Sequence, residues 1–232
     1  MLKRPLIPLL LLLLTAPLAH AGSVEAVKAR YNETWSGVNT FRCDIHIEAR
    51  EGGEALMDST GTMQALRQQG GTFHWRMDLT MTLEMPDLPE PLEGQVLTVF
   101  DGEYVITIMD FMGQQQVQRS QDPEHSTVPI GEAMWEGLED EATLSYAGEG
   151  EVDGVPVHLI RAEWGDDAND SAPESALYAF RQDNALVLRA EIETDNDSGT
   201  VIMTASGYNL EADVDEESFN VDIPVGSRFL DD

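Results

Sequence analysis

The 232-residue sequence contains 13 Lys and Arg residues against 43 Asp and Glu residues, a formal net charge of −30 at pH 7. Binding of nucleic acid or of an anionic membrane face requires clustered cations, so this charge argues against both. The only cysteine, Cys43, cannot form an internal disulfide, and the fold must therefore depend on its hydrophobic core.

Residues 1–21 have the pattern of a secretory signal peptide. Lys3 and Arg4 precede an apolar run that is too short to span a membrane, and Ala19 and Ala21 suit a signal peptidase. Cleavage before Gly22 would leave residues 22–232, enough for one β-rich domain. Because no cysteine directly follows the apolar run, we expect an exported, soluble protein without a lipid anchor.

Residues 23–36 are predicted to form an amphipathic helix, because apolar residues recur there at helical spacing. A first strand is predicted over residues 41–50, whose apolar side comprises Phe41, Cys43, Ile45, Ile47 and Ala49. Cys43 is interpreted as a small buried hydrophobic residue, since no activating partner is close in sequence. A second strand is predicted around residues 61–68 and includes Met63.

Residues 73–85 are the most strongly patterned stretch, in which seven apolar residues alternate strictly with six polar ones. Successive side chains of a strand point to opposite faces, so this stretch predicts a long strand with one apolar face. That face comprises Phe73, Trp75, Met77, Leu79, Met81, Leu83 and Met85. Methionine adapts its shape to irregular partners, which suits a binding surface, although an ordinary core would show the same alternation.

The proline-rich residues 85–94 are predicted to form a loop at the edge of the sheet. Strands at residues 95–100 and 104–111 flank Asp101-Gly102, a dipeptide that favours a tight hairpin. A shorter strand is predicted at residues 115–119.

After Pro129, residues 130–140 are predicted to form a short amphipathic helix, which needs an apolar surface to pack on. Its apolar side comprises Ile130, Met134, Trp135 and Leu138. The remaining strands are predicted at residues 143–151, 155–164, 177–181, 185–193 and 200–209, with a bulge near Gly148. Ten or eleven consecutive strands and two helices predict a mainly β fold, whose antiparallel sheet curls into a barrel or half-barrel.

No catalytic motif emerges from the sequence. His46 and His74 lie on the polar sides of their strands, but their spacing matches no metal-binding pattern. No glycine-rich phosphate loop precedes a helix, and no serine lies in a nucleophile-elbow motif. We therefore expect no catalytic residue, no metal site and no cofactor, and we interpret the protein as a binding protein and not an enzyme.

The order of several motifs is more informative than their composition. A helix after the signal peptide is followed by Phe-Arg-Cys-Asp-Ile at residues 41–45, Gly-Thr-Met at 61–63 and Phe-His-Trp-Arg-Met at 73–77. The Asp101-Gly102 hairpin and the ending Phe-Asn-Val-Asp-Ile-Pro-Val-Gly at residues 219–226 complete the set. In this order, which covers nearly all of the mature chain, the motifs resemble the periplasmic outer-membrane lipoprotein carrier family, the LolA-like proteins.

The resemblance implies an incomplete antiparallel barrel of eleven strands with a helical lid, whose cavity holds the acyl chains of a lipoprotein crossing the periplasm. The helix over residues 130–140, with Ile130, Met134, Trp135 and Leu138, would belong to the lid. The predicted cavity lining comprises Phe41, Ile45, Ile47, Met63, Phe73, Trp75, Met77, Leu79, Met81 and Leu83. The implied partners of this periplasmic monomer are an acylated lipoprotein or lipid, an inner-membrane protein that releases it and an outer-membrane protein that receives it.

One position departs from the family pattern. Members usually carry an arginine followed by a proline just before the aromatic strand, proposed to steady the closed lid, whereas this sequence has Gln69 and Gly70 there and Arg67 two residues earlier. Two functions stay open. The protein either carries acyl chains toward the outer membrane, or it is a sensor or interaction domain of the same fold that detects lipid or lipoprotein and signals to a protein partner.

Overall fold

The structure of the chain, a computed structural model, describes residues 22–69, 71–84, 90–120, 132–165, 173–194, 199–223 and 228–230. The predicted signal peptide and Ile130 of the predicted lid lie outside these residues. Cleavage before Gly22 and a single domain over residues 22–232 therefore stay predictions.

Twelve strands and three helices are described. The strands are β1 (Thr40–Glu51), β2 (Glu54–Arg67), β3 (Phe73–Leu83), β4 (Leu92–Phe100), β5 (Val105–Phe111), β6 (Gln114–Ser120), β7 (Ala142–Val152), β8 (Val155–Trp164), β9 (Ser175–Arg181), β10 (Val187–Thr194), β11 (Gly199–Asn209) and β12 (Arg228–Leu230). The helices are α1 (Val24–Trp35), α2 (Glu132–Glu141) and a 3₁₀ helix (Glu216–Phe219). Neither described α-helix combines the length and the hydrophobicity that crossing a bilayer requires.

All described strands form one sheet, in the order β12-β6-β5-β4-β3-β2-β1-β11-β10-β9-β8-β7. Every pair from β6 to β7 is antiparallel, and only the short β12 lies parallel to its neighbour, β6. The sheet is curved and unclosed, with α1 and α2 on its concave face. This arrangement confirms the predicted LolA-like half-barrel of eleven antiparallel strands.

The strongly alternating stretch forms β3, the third of these strands along the chain. Phe73, Trp75 and Leu79 are buried on the concave face, whereas the intervening Arg76 and Thr80 belong to the convex face. The predicted assignment of the two faces is therefore confirmed, and β8 matches its predicted residues throughout.

α1 also forms where the sequence predicts it. Ser23 is the N-cap, and its hydroxyl accepts a hydrogen bond from the backbone N–H of Ala26 at 3.1 Å. The residues at helical spacing, Val27, Tyr31 and Trp35, are buried against the sheet. The predicted bulge in β7 is confirmed as well, since the pairing register with β8 shifts at Gly148, whose φ of +117° favours glycine.

Three features differ from the prediction. β2 begins at Glu54 and not near residue 61, because its first half pairs with β1 across the hairpin turn. β4 begins at Leu92, inside the predicted loop, where the pair Leu83 and Leu92 extends the ladder with β3. The 3₁₀ helix and β12 were not expected. The 3₁₀ helix packs on the convex face, where Arg76 Nη1 donates a hydrogen bond to the Ser218 carbonyl oxygen at 3.1 Å.

Gly61 of β2 allows an unusually close approach of β3. A Cβ atom at this position would collide with the backbone carbonyl oxygen of Asp78. We expect Gly61→Ala to lower the free energy of unfolding by about 2–3 kcal/mol, because backbone cannot yield as a flexible side chain does. Urea denaturation of the purified variant measures this change.

Gly37→Ala is the matched control, since a Cβ atom there would meet nothing within 4 Å. Its effect should stay below about 1 kcal/mol in either direction. Equal effects at the two positions would contradict the proposed close approach at Gly61.

Candidate functional site

The concave face is built from the inward-facing residues of eleven strands. Cross-strand pairing aligns these residues into rows that run across the strands, from one edge of the sheet toward the other. One such row contains Met81 of β3, Ser59 of β2, Ile47 of β1 and Met203 of β11. Residues in other rows, such as Cys43 and Met63, are buried, whereas Ile47, Met81 and Met203 are only half-buried, so the concave face is covered unevenly.

An aromatic cluster fills the deep end of the concave face beneath both α-helices. The Tyr31 ring of α1 lies 5.9 Å from the rings of Trp35 and Trp135, and 6.0 Å from the ring of Phe180. Trp35 contacts Phe41 of β1 edge-on at 5.0 Å, while Trp135 of α2 stacks on Phe180 of β9 at 5.2 Å. These five residues, named here the aromatic cluster, join both α-helices to the central strand β1 and to β9.

Every predicted lining residue lies on the concave face, but at two different depths. Six are buried in the core: Phe41, Ile45, Met63, Phe73, Trp75 and Leu79. Four are only half-buried: Ile47, Met77, Met81 and Leu83. The six buried residues are part of the hydrophobic core. The ligand-binding role of all ten residues stays a prediction.

The half-buried residues form the more accessible part of this face. Together with two neighbours that the sequence did not single out, they define the apolar trough: Ile47, Met77, Met81, Leu83, Val96 and Met203. Val96 and Met203 join it through strand pairing, opposite Leu79 and Ile47 respectively. Their own strands alternate, but only the order of strands in the sheet could have placed them beside β3.

The described part of the predicted lid faces the aromatic cluster. Trp135 and Leu138 of α2 are buried, and Met134 is half-buried against the same core. The Lys28 ammonium of α1 donates a hydrogen bond to the Glu139 carboxylate of α2, so an ion pair also joins the two helices. Movement of α2 as a lid stays a prediction.

Arg67 has a defined role near the position where the sequence departs from the family pattern. Its Nε donates a hydrogen bond to the Val38 carbonyl oxygen at 2.9 Å, and its Nη2 donates to the Trp35 carbonyl oxygen at 3.1 Å. Its guanidinium also lies over the Phe73 ring, 4.5 Å from the centroid. A cation at a helix C-terminus binds the last carbonyl groups favourably, so Arg67 fixes the end of α1 to the sheet.

A second concavity, of about 560 Å³, lies on the convex face. Its lining includes the polar side chains of Thr60, Thr62, Arg76, Asp78 and Thr80. Arg76 makes two hydrogen bonds to the Asp78 carboxylate, each 2.7 Å long, and this pairing raises the pKa of Arg76. Leu97 and Ile108 also line this groove, so its surface combines polar and apolar side chains.

The two histidines considered for a metal site lie apart on the sheet. His46 Nε2 is 2.9 Å from Asp58 Oδ2, whereas the His74 ring packs near Phe100 and Phe219. Within the described ranges, no three His, Cys, Asp or Glu side chains are grouped as metal ligands would be.

No protein-family model and no curated protein sequence matches this chain. Several solved structures resemble its fold. An uncharacterized conserved protein from Thermus thermophilus is 10% identical with a TM-score of 0.51, and the match covers 89% of this chain and 97% of that one.

Two further structures match less well. LprF from Mycobacterium bovis is 9% identical, with a TM-score of 0.45 and coverage of 81% of this chain and 94% of that chain. A domain from Vibrio parahaemolyticus, provisionally designated an outer membrane lipoprotein-sorting protein, is 8% identical, with a TM-score of 0.41 and coverage of 84% and 94%. At these identities a likeness concerns the fold alone.

Cys43 lies in the core between the aromatic cluster and the apolar trough, with 1% of its surface exposed. Burial, and secondarily the neighbouring Asp44 carboxylate, raises the pKa of the Cys43 thiol to about 12. The predicted interpretation of Cys43 as a buried hydrophobic residue is confirmed, since a thiol with this pKa stays protonated and unreactive at neutral pH.

The raised pKa of Cys43 predicts that stability falls in alkaline solution. The unfolded thiol titrates near its ordinary pKa of about 8.5, while the native thiol keeps its proton to about 12. Deprotonation therefore favours the unfolded chain above pH 9, and the free energy of unfolding should fall by about 2 kcal/mol between pH 8 and pH 10 through this group.

Urea denaturation at pH 8, 9 and 10 tests this prediction against Cys43→Ala. The variant loses packing and is less stable throughout, but its stability should decline less steeply with pH. Identical declines in the parent and the variant would contradict the assignment.

Proposed function

We propose that this protein binds the acyl chains of a lipid or lipoprotein in the apolar trough and carries them across the periplasm toward the outer membrane. The observation that carries the proposal is the trough itself, in which six half-buried apolar side chains lie together on the concave face. Affinity would come from apolar burial, about 0.8 kcal/mol for each methylene group removed from water. Neither a chemical reaction nor a cofactor is needed, so the proposal is of a non-enzymatic carrier.

The composition of the trough supports a flexible ligand. Three of its six residues, Met77, Met81 and Met203, are methionines, whose unbranched side chains change shape at low cost. An acyl chain has many conformations of similar energy, and an adaptable lining can follow them. The concavity on the convex face differs, because the Arg76–Asp78 ion pair is part of its lining.

Loading and release require one helix to move relative to the sheet, and the contacts favour α2. α1 is fixed by the Arg67 hydrogen bonds and by Thr34, whose hydroxyl donates to the Asn184 carbonyl oxygen at 2.7 Å. α2 is joined to α1 by the Lys28–Glu139 ion pair, whose side chains are 33% and 39% exposed. Exposed ion pairs contribute little to stability, so this link breaks at low cost, and opening of α2 then requires Trp135 to separate from Phe180.

The first experiment tests whether the ligand binds on the trough side of β3 and not on its convex side. Met81→Asp would introduce a charge into the trough and should weaken binding of a fluorescent fatty-acid analogue at least tenfold, because burying a carboxylate against hydrocarbon is costly. Thr80→Asp, one residue away on the exposed convex face, is the matched control and should bind within about twofold of the parent. Fluorescence titration measures both, with circular dichroism to verify folding. Equal losses in the two variants would place the ligand elsewhere.

The second experiment tests transport. Protein loaded with an acylated lipoprotein from inner-membrane vesicles is mixed with outer-membrane vesicles, and the lipoprotein in each fraction is measured over time. We expect the parent to move cargo into the outer-membrane fraction and Met81→Asp to leave it behind. A parent that binds cargo tightly but never delivers it would contradict the carrier role and favour the sensor, while leaving acyl binding intact.

A further inference from the structure

Ser59 is the one polar residue in the row that crosses the apolar trough. Strand pairing places it directly between Ile47 and Met81, with Met203 following Ile47. Its surface is 0% exposed, and its Oγ has no hydrogen-bond partner among the described residues. A buried hydroxyl without a partner is unfavourable, so its presence on an apolar face requires an explanation.

Hydroxyl groups at two other sites in the sheet have hydrogen-bond partners. Ser175, the other buried polar residue of the described chain, donates a hydrogen bond to the Glu193 carboxylate at 2.7 Å. Thr98 and Thr107 also face the concave side, and their hydroxyl oxygens, 3.3 Å apart, form a hydrogen bond with each other. Ser59 therefore differs from these residues, because its hydroxyl group is buried without a hydrogen-bond partner among the described residues.

The surroundings of Ser59 are unusually deformable. Met57 precedes it on the same face of β2, and Met81 and Met203 lie in its row. Methionine side chains are unbranched and flexible, so their rearrangement would give a ligand in the trough access to the hydroxyl. The other uncharged buried donors without a partner among the described residues are the indole N–H groups of Trp35 and Trp135, which belong to the aromatic cluster and not to the trough.

We propose that Ser59 is the polar anchor of the trough, where its hydroxyl donates a hydrogen bond to the carbonyl oxygen of the ester or amide that joins an acyl chain to its head group. This inference rests on the proposed function and names its ligand class: carbonyl-bearing acyl chains are preferred over bare hydrocarbon. The anchor also fixes the depth of the ligand, since the carbonyl group stays in the Ser59 row while the chain extends along the trough.

The test compares two probes, a saturated fatty-acid methyl ester and the alkane of the same chain length, by displacement of a fluorescent hydrophobic dye. The parent should bind the ester about fivefold more tightly than the alkane, the effect of one hydrogen bond between neutral groups. Ser59→Ala should abolish this preference by weakening ester binding alone, and its melting temperature should not fall, because an orphan hydroxyl has been removed. Ser59→Thr, which keeps a hydroxyl, should retain the preference.

Thr98→Val is the matched control, since it removes from the same face a hydroxyl group that already has a partner, Thr107. This variant should prefer the ester as strongly as the parent does. If Ser59→Ala keeps the preference, or loses affinity for both probes equally, the anchor is overturned. If the parent binds both probes equally, the anchor is overturned while acyl binding stands. If the parent binds neither probe, the proposed function fails and the anchor fails with it.

Discussion

An unclosed sheet has no hydrogen-bond ladder between its outermost strands, so its curvature depends on what fills the concave face. In this protein the aromatic cluster fills it: Tyr31 touches both tryptophans and Phe180, and Trp35 continues the contact to Phe41. Aromatic pairs of this kind contribute about 0.5–1.5 kcal/mol each beyond the area they bury. The cluster thereby connects strands β1 and β9 through the two α-helices, in place of the missing ladder.

Because the cluster lies toward one end of the face, the cover over the sheet is uneven, and this unevenness produces the trough. Residues of one strand face differ accordingly: Trp75 is buried, whereas Met81 is half-buried. Arg67 contributes to the same asymmetry, since its guanidinium lies over Phe73 and binds carbonyl oxygens at the C-terminal end of α1. The packed core and the proposed acyl-binding trough thus occupy different parts of one apolar face.

The sequence predicted β3 well because burial of one face determines strict alternation. The bounds of β8 were also predicted, although this strand buries Val157 in one core cluster and Ile160 in another. The sequence did not predict the first half of β2, where Ser59 interrupts the apolar face and pairing with β1 and β3 imposes the strand. β12, only three residues long, exists through pairing with β6 and has no pattern of its own. The trough could be predicted only in part, because the depth of a concave residue depends on which helix lies above it. Nothing in the alternation of β3 separates Trp75 from Met81.

The two outer strands of the half-barrel present different hazards. Unpaired backbone groups at the margin of a sheet can recruit a strand from another molecule, which closed barrels avoid altogether. On one side, the three-residue β12 lies against β6 and shields part of its backbone. On the other, β7 ends the described sheet, and there the bulge at Gly148 interrupts its regular pairing while Glu149 and Glu151 add charge. Both edges of the described sheet are therefore protected against pairing with another molecule, one by a bulge and acidic side chains, and the other by a short parallel strand.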